Sequence, residues 1–263
     1  MSAQIKHYYA LLKHYAPLTW HSARMTMKNE MMGTMGGFIW WVLDPLFYCM
    51  LYYFVFDVIL DRGTDNFITF LLLGLVIFRW ISIALVQSAT SIIQKKQIMR
   101  QIDVPKMIFP IEVCFIQLVK FFAAFAPVLG LLILIDGITF SAIYYLPIVL
   151  FAGFVLTVGC ALVLSAIIPF LPDLSNVLKM VVQALRYVSV IFFSLEQVPE
   201  KYRLLIEANP LALLIISTRD VLMYGTAPST IYLSYILAFG VLLSFVGFVL
   251  HKKLNRVYPR YVI

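Results

Sequence analysis

Long apolar runs alternate with short polar segments along almost the whole chain. Six runs, at about 37–60, 67–93, 108–135, 145–169, 177–195 and 229–250, come close to or exceed the roughly 20 residues that cross a lipid hydrocarbon layer. No water reaches that layer, so every backbone polar group must be satisfied within its own segment, and runs of this length read as helices. The pattern predicts an all-α polytopic membrane protein with six transmembrane helices. Lys and Arg fall mainly on alternate sides of these spans, thirteen against four when Lys179 is counted at the edge of the fourth loop. Basic loops stay on the cytoplasmic side, so both termini are expected inside the cell.

Three segments between or before the runs carry patterns of their own. Residues 4–16 place Ile5, Tyr8, Tyr9, Leu12 and Ala16 on one helical face and Lys6 and Lys13 on the other. That is an amphipathic helix in the membrane interface, read either as a plain anchor or as a moving element. Residues 94–110 form a basic loop ending in Pro105 and Pro110, either a solvated turn or a docking element for a cytoplasmic partner. Residues 196–228, on the outer side, hold two apolar stretches too short to span, separated by Asn209 and Pro210. They read as a re-entrant hairpin or as an interfacial pair lying flat.

Composition sharpens this picture. Of 263 residues, 62% are hydrophobic and only 13% are charged, against about 25% charged in soluble domains. An ordinary soluble enzyme, a disordered chain and a secreted disulfide scaffold are excluded. The longest stretches outside apolar runs leave no room for a separate catalytic domain, so residues 1–263 are expected to form one membrane domain. The net charge of +7 fits loop orientation and anionic headgroups rather than nucleic acid. Cys49, Cys114 and Cys160 all lie inside apolar runs and are expected to behave as small hydrophobes. Lys6, His7, Lys13 and His14 interrupt residues 1–16, so no cleavable signal peptide is expected there.

The chain contains no phosphate-cradling G-x-x-x-x-G-K-[ST] loop and no metal-ligand spacing of His and Cys. His7, His14, His21 and His251 all fall outside the predicted spans. No catalytic residues, metal site or bound cofactor are therefore expected in this chain. Ionisable residues within spans are costly and point to function. Here they are Asp44, Arg79, Lys120 and Arg186. A rise of 1.5 Å per residue puts Asp44 and Arg79 at about the same depth, so they either pair or face a polar cavity separately. Trp41, Tyr48, Tyr52 and Phe56 lie along one face of the first span, with Trp40, Phe47 and Phe54 on a neighbouring stripe. Such faces stack on sugar rings in a wide channel, or serve as an interfacial belt or packed core.

Several of these segments resemble one family. Gly37, Trp40, Asp44 and Pro45 at the start of the first span resemble the G-x-x-W…(D/E/N)-P opening of ABC-2-type permeases that export polysaccharides. Leu72, Gly74, Leu75 and Phe78 resemble their L-x-G-L-x-x-[FW] run, and Val104, Pro105, Lys106 and Pro110 their cytoplasmic coupling loop. Phe170, Asp173 and Leu174 resemble the turn before the fifth span, with Pro172 where the family often has Arg. Asn209, Pro210, Leu211, Arg219, Asp220 and Gly225 resemble the periplasmic N-P-[LM]…R…G segment. The likeness runs through nearly the whole chain in matching order. It is nearest to the membrane subunit of O-antigen transporters, with capsule exporters close behind.

The resemblance implies a homodimer in the bacterial inner membrane, working with two separate ATP-binding cassette subunits that hold the ATP and Mg. The cargo would be a lipid-linked glycan, O-antigen in lipopolysaccharide biosynthesis or capsule polysaccharide. It further implies a channel lined by the first and fifth spans, here Trp40, Trp41, Tyr48, Tyr52 and Phe56 with Tyr187, Phe192 and Phe193. Residues 1–36 would form a cytoplasmic gate segment, carried by Tyr8, Tyr9, Leu12 and Lys13. Coupling to the ATPase would fall to Lys95, Lys96, Arg100, Val104, Pro105 and Lys106, and a periplasmic gate to Asn209, Pro210 and Arg219. Two other classes compete. A membrane enzyme acting on lipid-linked sugars would use Asp44, Glu112 or Asp173, which lack a partnered base in the sequence. A secondary carrier would carry an internal repeat, and none is visible.

Overall fold

The computed structural model describes residues 37–59, 66–101, 104–135, 137–255, 257 and 258, together with Arg24, Met25, Met27 and Lys28. The proposed gate-helix residues Tyr8, Tyr9, Leu12 and Lys13 lie outside the described residues. Among the described residues the regular structure is all helical. Helix α1 (Gly37–Tyr53) continues through a wider π-type turn, Phe54–Ile59. It is followed by α2 (Phe67–Gln94), α3 (Lys96–Gln101) and α4 (Ile108–Leu134). Helix α5 (Leu146–Ile167) is flanked by the 3-10 turns Ile143–Tyr145 and Ile168–Phe170. Then come α6 (Leu174–Val188), α7 (Glu200–Glu207), α8 (Pro210–Leu222) and α9 (Thr230–Leu254).

Among the described residues, five stretches are long and apolar enough to cross a membrane: Ile39–Ile59, Phe67–Gln94, Ile108–Leu134, Ile143–Phe170 and Thr230–Leu254. They match five of the six predicted runs to within a few residues. The run at 177–195 differs. There α6 has 15 residues, about 22 Å of rise, and carries Lys179, Gln183 and Arg186. The chain leaves the helix at Ser189 and turns at Val190, whose φ is 53°. The apolar content of that run is real, but residues 190–193 spend it in a turn buried or half-buried in the bundle rather than on a further helical turn.

Helix α2 is the axis. It packs against α1, α4, α5, α6 and α8, and every residue from 70 to 78 is buried. The unbroken hydrophobicity of that stretch follows, because packed helices enclose it on every side. Helix α1 is the opposite case: it leans on α2 along one edge and leaves Phe47 65% and Met50 75% exposed. Helices α5 and α9 pack along their length at close range. A Cβ on Gly240 would lie 2.8 Å from the Leu156 nitrogen, so only glycine admits this approach, the small-residue packing common between membrane helices.

The C-terminal end of α9 corrects one sequence expectation. His251 falls within α9 and is buried, not outside the last span. Its ring nitrogens lie 3.2 Å from Ser165 Oγ, 3.1 Å from the Leu162 carbonyl and 3.2 Å from the Tyr258 hydroxyl. Those three contacts satisfy a polar ring that hydropathy alone expels from the helix.

Candidate functional site

Aromatic side chains from α1 and from the turn after α6 meet in one ladder. Tyr48 and Tyr52 stack with ring centres 6.3 Å apart, one helical turn from each other on α1. Phe192 then meets Tyr52 edge-on at 4.6 Å, Phe56 nearly parallel at 5.1 Å and Tyr187 at 5.7 Å. The break at Ser189 makes this possible, since it folds Phe192 back toward α1. Arg186 lies against the ladder, its guanidinium 5.7 Å from the Tyr48 ring and 5.8 Å from Phe78, with the Tyr52 hydroxyl 3.5 Å from Nη1. The structure thus gathers Tyr48, Tyr52, Phe56, Tyr187 and Phe192. Phe193 turns toward the small core of Val190, Ile206 and Ala212, and Trp40 is exposed. Trp41 faces α4, where the Lys120 ammonium sits 5.5 Å from its ring centre.

Asp44 and Arg79 form an ion pair between α1 and α2. Equal depth in the two spans is what the sequence offered. The packing of α1 on α2 turned the two side chains toward each other.

The segment at 196–228 is built around one buried cation. Arg219 of α8 is 3% exposed. It donates Nε and Nη2 to the Phe70 carbonyl at 3.2 and 2.8 Å, Nη1 to the Val190 carbonyl at 2.6 Å and Nη2 to the Ile191 carbonyl at 3.1 Å. Its guanidinium carbon lies 3.3 Å from the centre of the Phe70 ring. Carbonyls freed where α6 breaks off are therefore capped by a planar fork reaching from another helix. Room for that fork comes from Gly74, where a Cβ would lie 2.8 Å from Arg219 Nη2.

Asn209 and Pro210 have equally local roles. The Asn209 side chain accepts from the Leu211 N–H at 3.0 Å, which caps α8, and donates to Ser189 Oγ at 3.0 Å, which ties that cap to the end of α6. Pro210 takes the first helical position, where its missing N–H costs nothing. Asp220, beside Arg219, has its carboxyl pushed up to about 6 by burial, with the Arg219 charge opposing the shift.

The basic loop is folded rather than extended. Lys95 reaches Glu112 of α4 at 3.5 Å. Val104, Pro105 and Lys106 are buried, and the Lys106 N–H donates to Asn255 Oδ1 at 3.3 Å. Lys96 and Gln97 of α3 are exposed. The side chain of Arg100 is outside the described residues. The sequence reading of this loop is a solvated turn or a docking element. The structure separates an exposed turn of helix from a buried support, and the Val-Pro pair was the only sequence signal of that division.

No protein-family model matches the chain. Among curated proteins, it is 27% identical over 231 residues to an O-antigen export system permease protein, RfbA, of Klebsiella pneumoniae, covering 87% of this chain and 88% of that one. A protein of the same name from Myxococcus xanthus is 22% identical over 225 residues, 82% of this chain and 84% of its own length. The polysialic acid transport protein KpsM of Escherichia coli is 23% identical over 220 residues, 82% of this chain and 85% of its own.

Proposed function

We infer that this chain is the membrane-spanning permease subunit of a polysaccharide exporter of the ABC-2 type, a multi-pass protein of the bacterial inner membrane. The observation that carries this reading is similarity through more than four-fifths of the chain to permeases named for O-antigen export and to a polysialic acid transport protein. The aromatic ladder supports it. A sliding polymer of sugar rings is served by neutral faces that stack weakly and repeatedly, without a fixed site deep enough to stall it.

In this reading the chain crosses the membrane six times with both termini inside. Helix α6 together with the turn through residues 189–194 makes the fifth crossing. Irregular backbone at membrane depth is tolerable where protein covers it, and Arg219 supplies the missing donors. Helices α7 and α8 form a re-entrant hairpin that acts as the periplasmic gate, with Asn209, Pro210 and Arg219 holding its base. Two copies of the chain enclose the channel, each contributing Tyr48, Tyr52, Phe56, Tyr187 and Phe192, with the exposed Trp40 near the same helix's start. Residues 4–16 serve as the cytoplasmic gate, and Lys6, Lys13, Arg24 and Lys28 draw the anionic head of a lipid-linked glycan. ATP and Mg would be held by two separate cassette subunits. Force enters through α3, braced by Lys95 on Glu112 and by the buried residues 104–106.

Deleting the chain in its host tests the function directly. The expected result is loss of surface polysaccharide, with lipid-linked glycan accumulating on the inner face of the membrane and export restored by the wild-type chain. The kind of polymer lost separates O-antigen from capsule. Unchanged surface polysaccharide would overturn the reading.

A further inference from the structure

Helix α3 is six residues long, about 9 Å, and a helix that short does not hold in water on its own. Something must fasten it. Lys96 and Gln97 are exposed, and Met99, 7% exposed, is the buried one among its described side chains. Met99 belongs to a small core apart from the main one, with Ile92 of α2, Phe109 of α4 and Tyr258. Ile92 and Phe109 come from the helices that flank α3 in sequence. Tyr258 comes from the turn after α9, in which the Val257 N–H donates to the Leu254 carbonyl at 2.8 Å.

Tyr258 is fully buried, and its two ends meet different elements. The ring packs in the Met99 core and lies 5.5 Å from Phe170, in the turn that closes α5. The hydroxyl is 3.2 Å from His251 Nδ1 and 3.5 Å from the Ala166 carbonyl. The far side of the imidazole fixes its direction. His251 Nε2 lies 3.1 Å from the Leu162 carbonyl, which can only accept, so Nε2 carries the proton and Nδ1 accepts from Tyr258. A second tie runs beside this one, from the Lys106 N–H to Asn255 Oδ1 at 3.3 Å. The turn after α9 therefore touches α3 at Met99 and the buried support behind it at Lys106. Helices α5 and α9 are themselves locked together here. A Cβ on Gly247, one turn before His251, would lie 2.5 Å from Leu162 Cβ, too close for the pair to slide independently.

We propose that Tyr258 is the joint between α3 and the bundle. Its ring holds α3 through Met99, its hydroxyl holds α9 and α5, and a displacement of α3 passes through it to that helix pair. The inference rests on the reading of α3 as the element on which the cassette subunits press. Tyr258 acts through α3 and is a positioning residue.

Hydrogen exchange of the full chain in detergent tests the hold on α3 with no other subunit present. Tyr258→Ala should speed exchange of the amides of residues 96–101 about tenfold, while exchange in α8 stays at the wild-type rate. Met99→Ala should do the same from the other side of the contact, and carries the measurement if Tyr258→Ala does not fold. Transmission is read in the complex with its cassette subunits, as glycan moved per ATP hydrolysed. Tyr258→Phe keeps the ring on Met99 and removes the hydroxyl from His251 and Ala166, so it should lower that ratio severalfold. A purely structural loss would lower the melting temperature and leave the ratio unchanged. Exchange at 96–101 unaltered in the alanine variants, faster exchange spread evenly over all helices, or a wild-type ratio in Tyr258→Phe overturns the proposal. A chain that exports glycan with that ratio unchanged fails this inference alone. One whose α3 loosens as expected, while surface polysaccharide survives its deletion, fails the proposed function and keeps the hold of Tyr258 on α3.

Discussion

Arg219 shows how much a single side chain can settle. Its fork serves three carbonyls from two other elements, and a lysine ammonium cannot reach all of them from one point. Arg219→Lys should therefore lower stability by several kcal/mol, since each buried carbonyl left unpaired costs about 1–3 kcal/mol. Thermal unfolding in detergent measures this. Gly74→Ala should act through the same contact, so the double variant should lose less than the two single losses together. Asp220 adds a pH dependence. Its folded value, about 6, lies above the ordinary 3.8, so its contribution is full below the unfolded value and disappears as pH rises through the folded one. Between about pH 4 and pH 7 the wild type should lose stability relative to Asp220→Asn. Both residues were legible as charges in an apolar neighbourhood. What they touch was not, because Phe70 and Val190 lie 149 and 29 residues away along the chain.

At the scale of elements, length and apolar period marked five helices to within a few residues. They could not show that residues 190–193 turn back, since a buried turn and a buried helix are equally apolar. The close packing of α5 and α9 is similarly decided by partners. Gly240→Val should separate them and cost about 1–3 kcal/mol, the usual penalty of overpacking, read again by thermal unfolding. Helix α3 makes a different prediction. Lys96 is exposed, so Lys96→Glu should leave the melting temperature unchanged while weakening co-purification with the cassette subunits and their ATP hydrolysis. If the variant binds and couples as the wild type does, α3 is not the docking element.

For the whole molecule, the ladder of Tyr48, Tyr52, Phe56 and Phe192 is the surface on which transport should depend. Phe56→Ala should slow polysaccharide export severalfold, whereas Met50→Ala, on the exposed side of α1, should leave it near wild type. Pulse-labelled glycan reaching the cell surface gives the rate. The sequence by itself determined that the regular structure of the described residues is helical and where the five long apolar segments lie. Those properties depend on local composition summed over about 20 residues, and lipid enforces them segment by segment. Tertiary structure alone decided that Asp44 meets Arg79, that Arg219 caps a broken helix, that Phe192 joins the α1 aromatics and that Trp41 faces Lys120 instead. Each of these depends on the rotation and separation of neighbouring helices. Packing of specific side chains sets those, and no single run of sequence contains both partners.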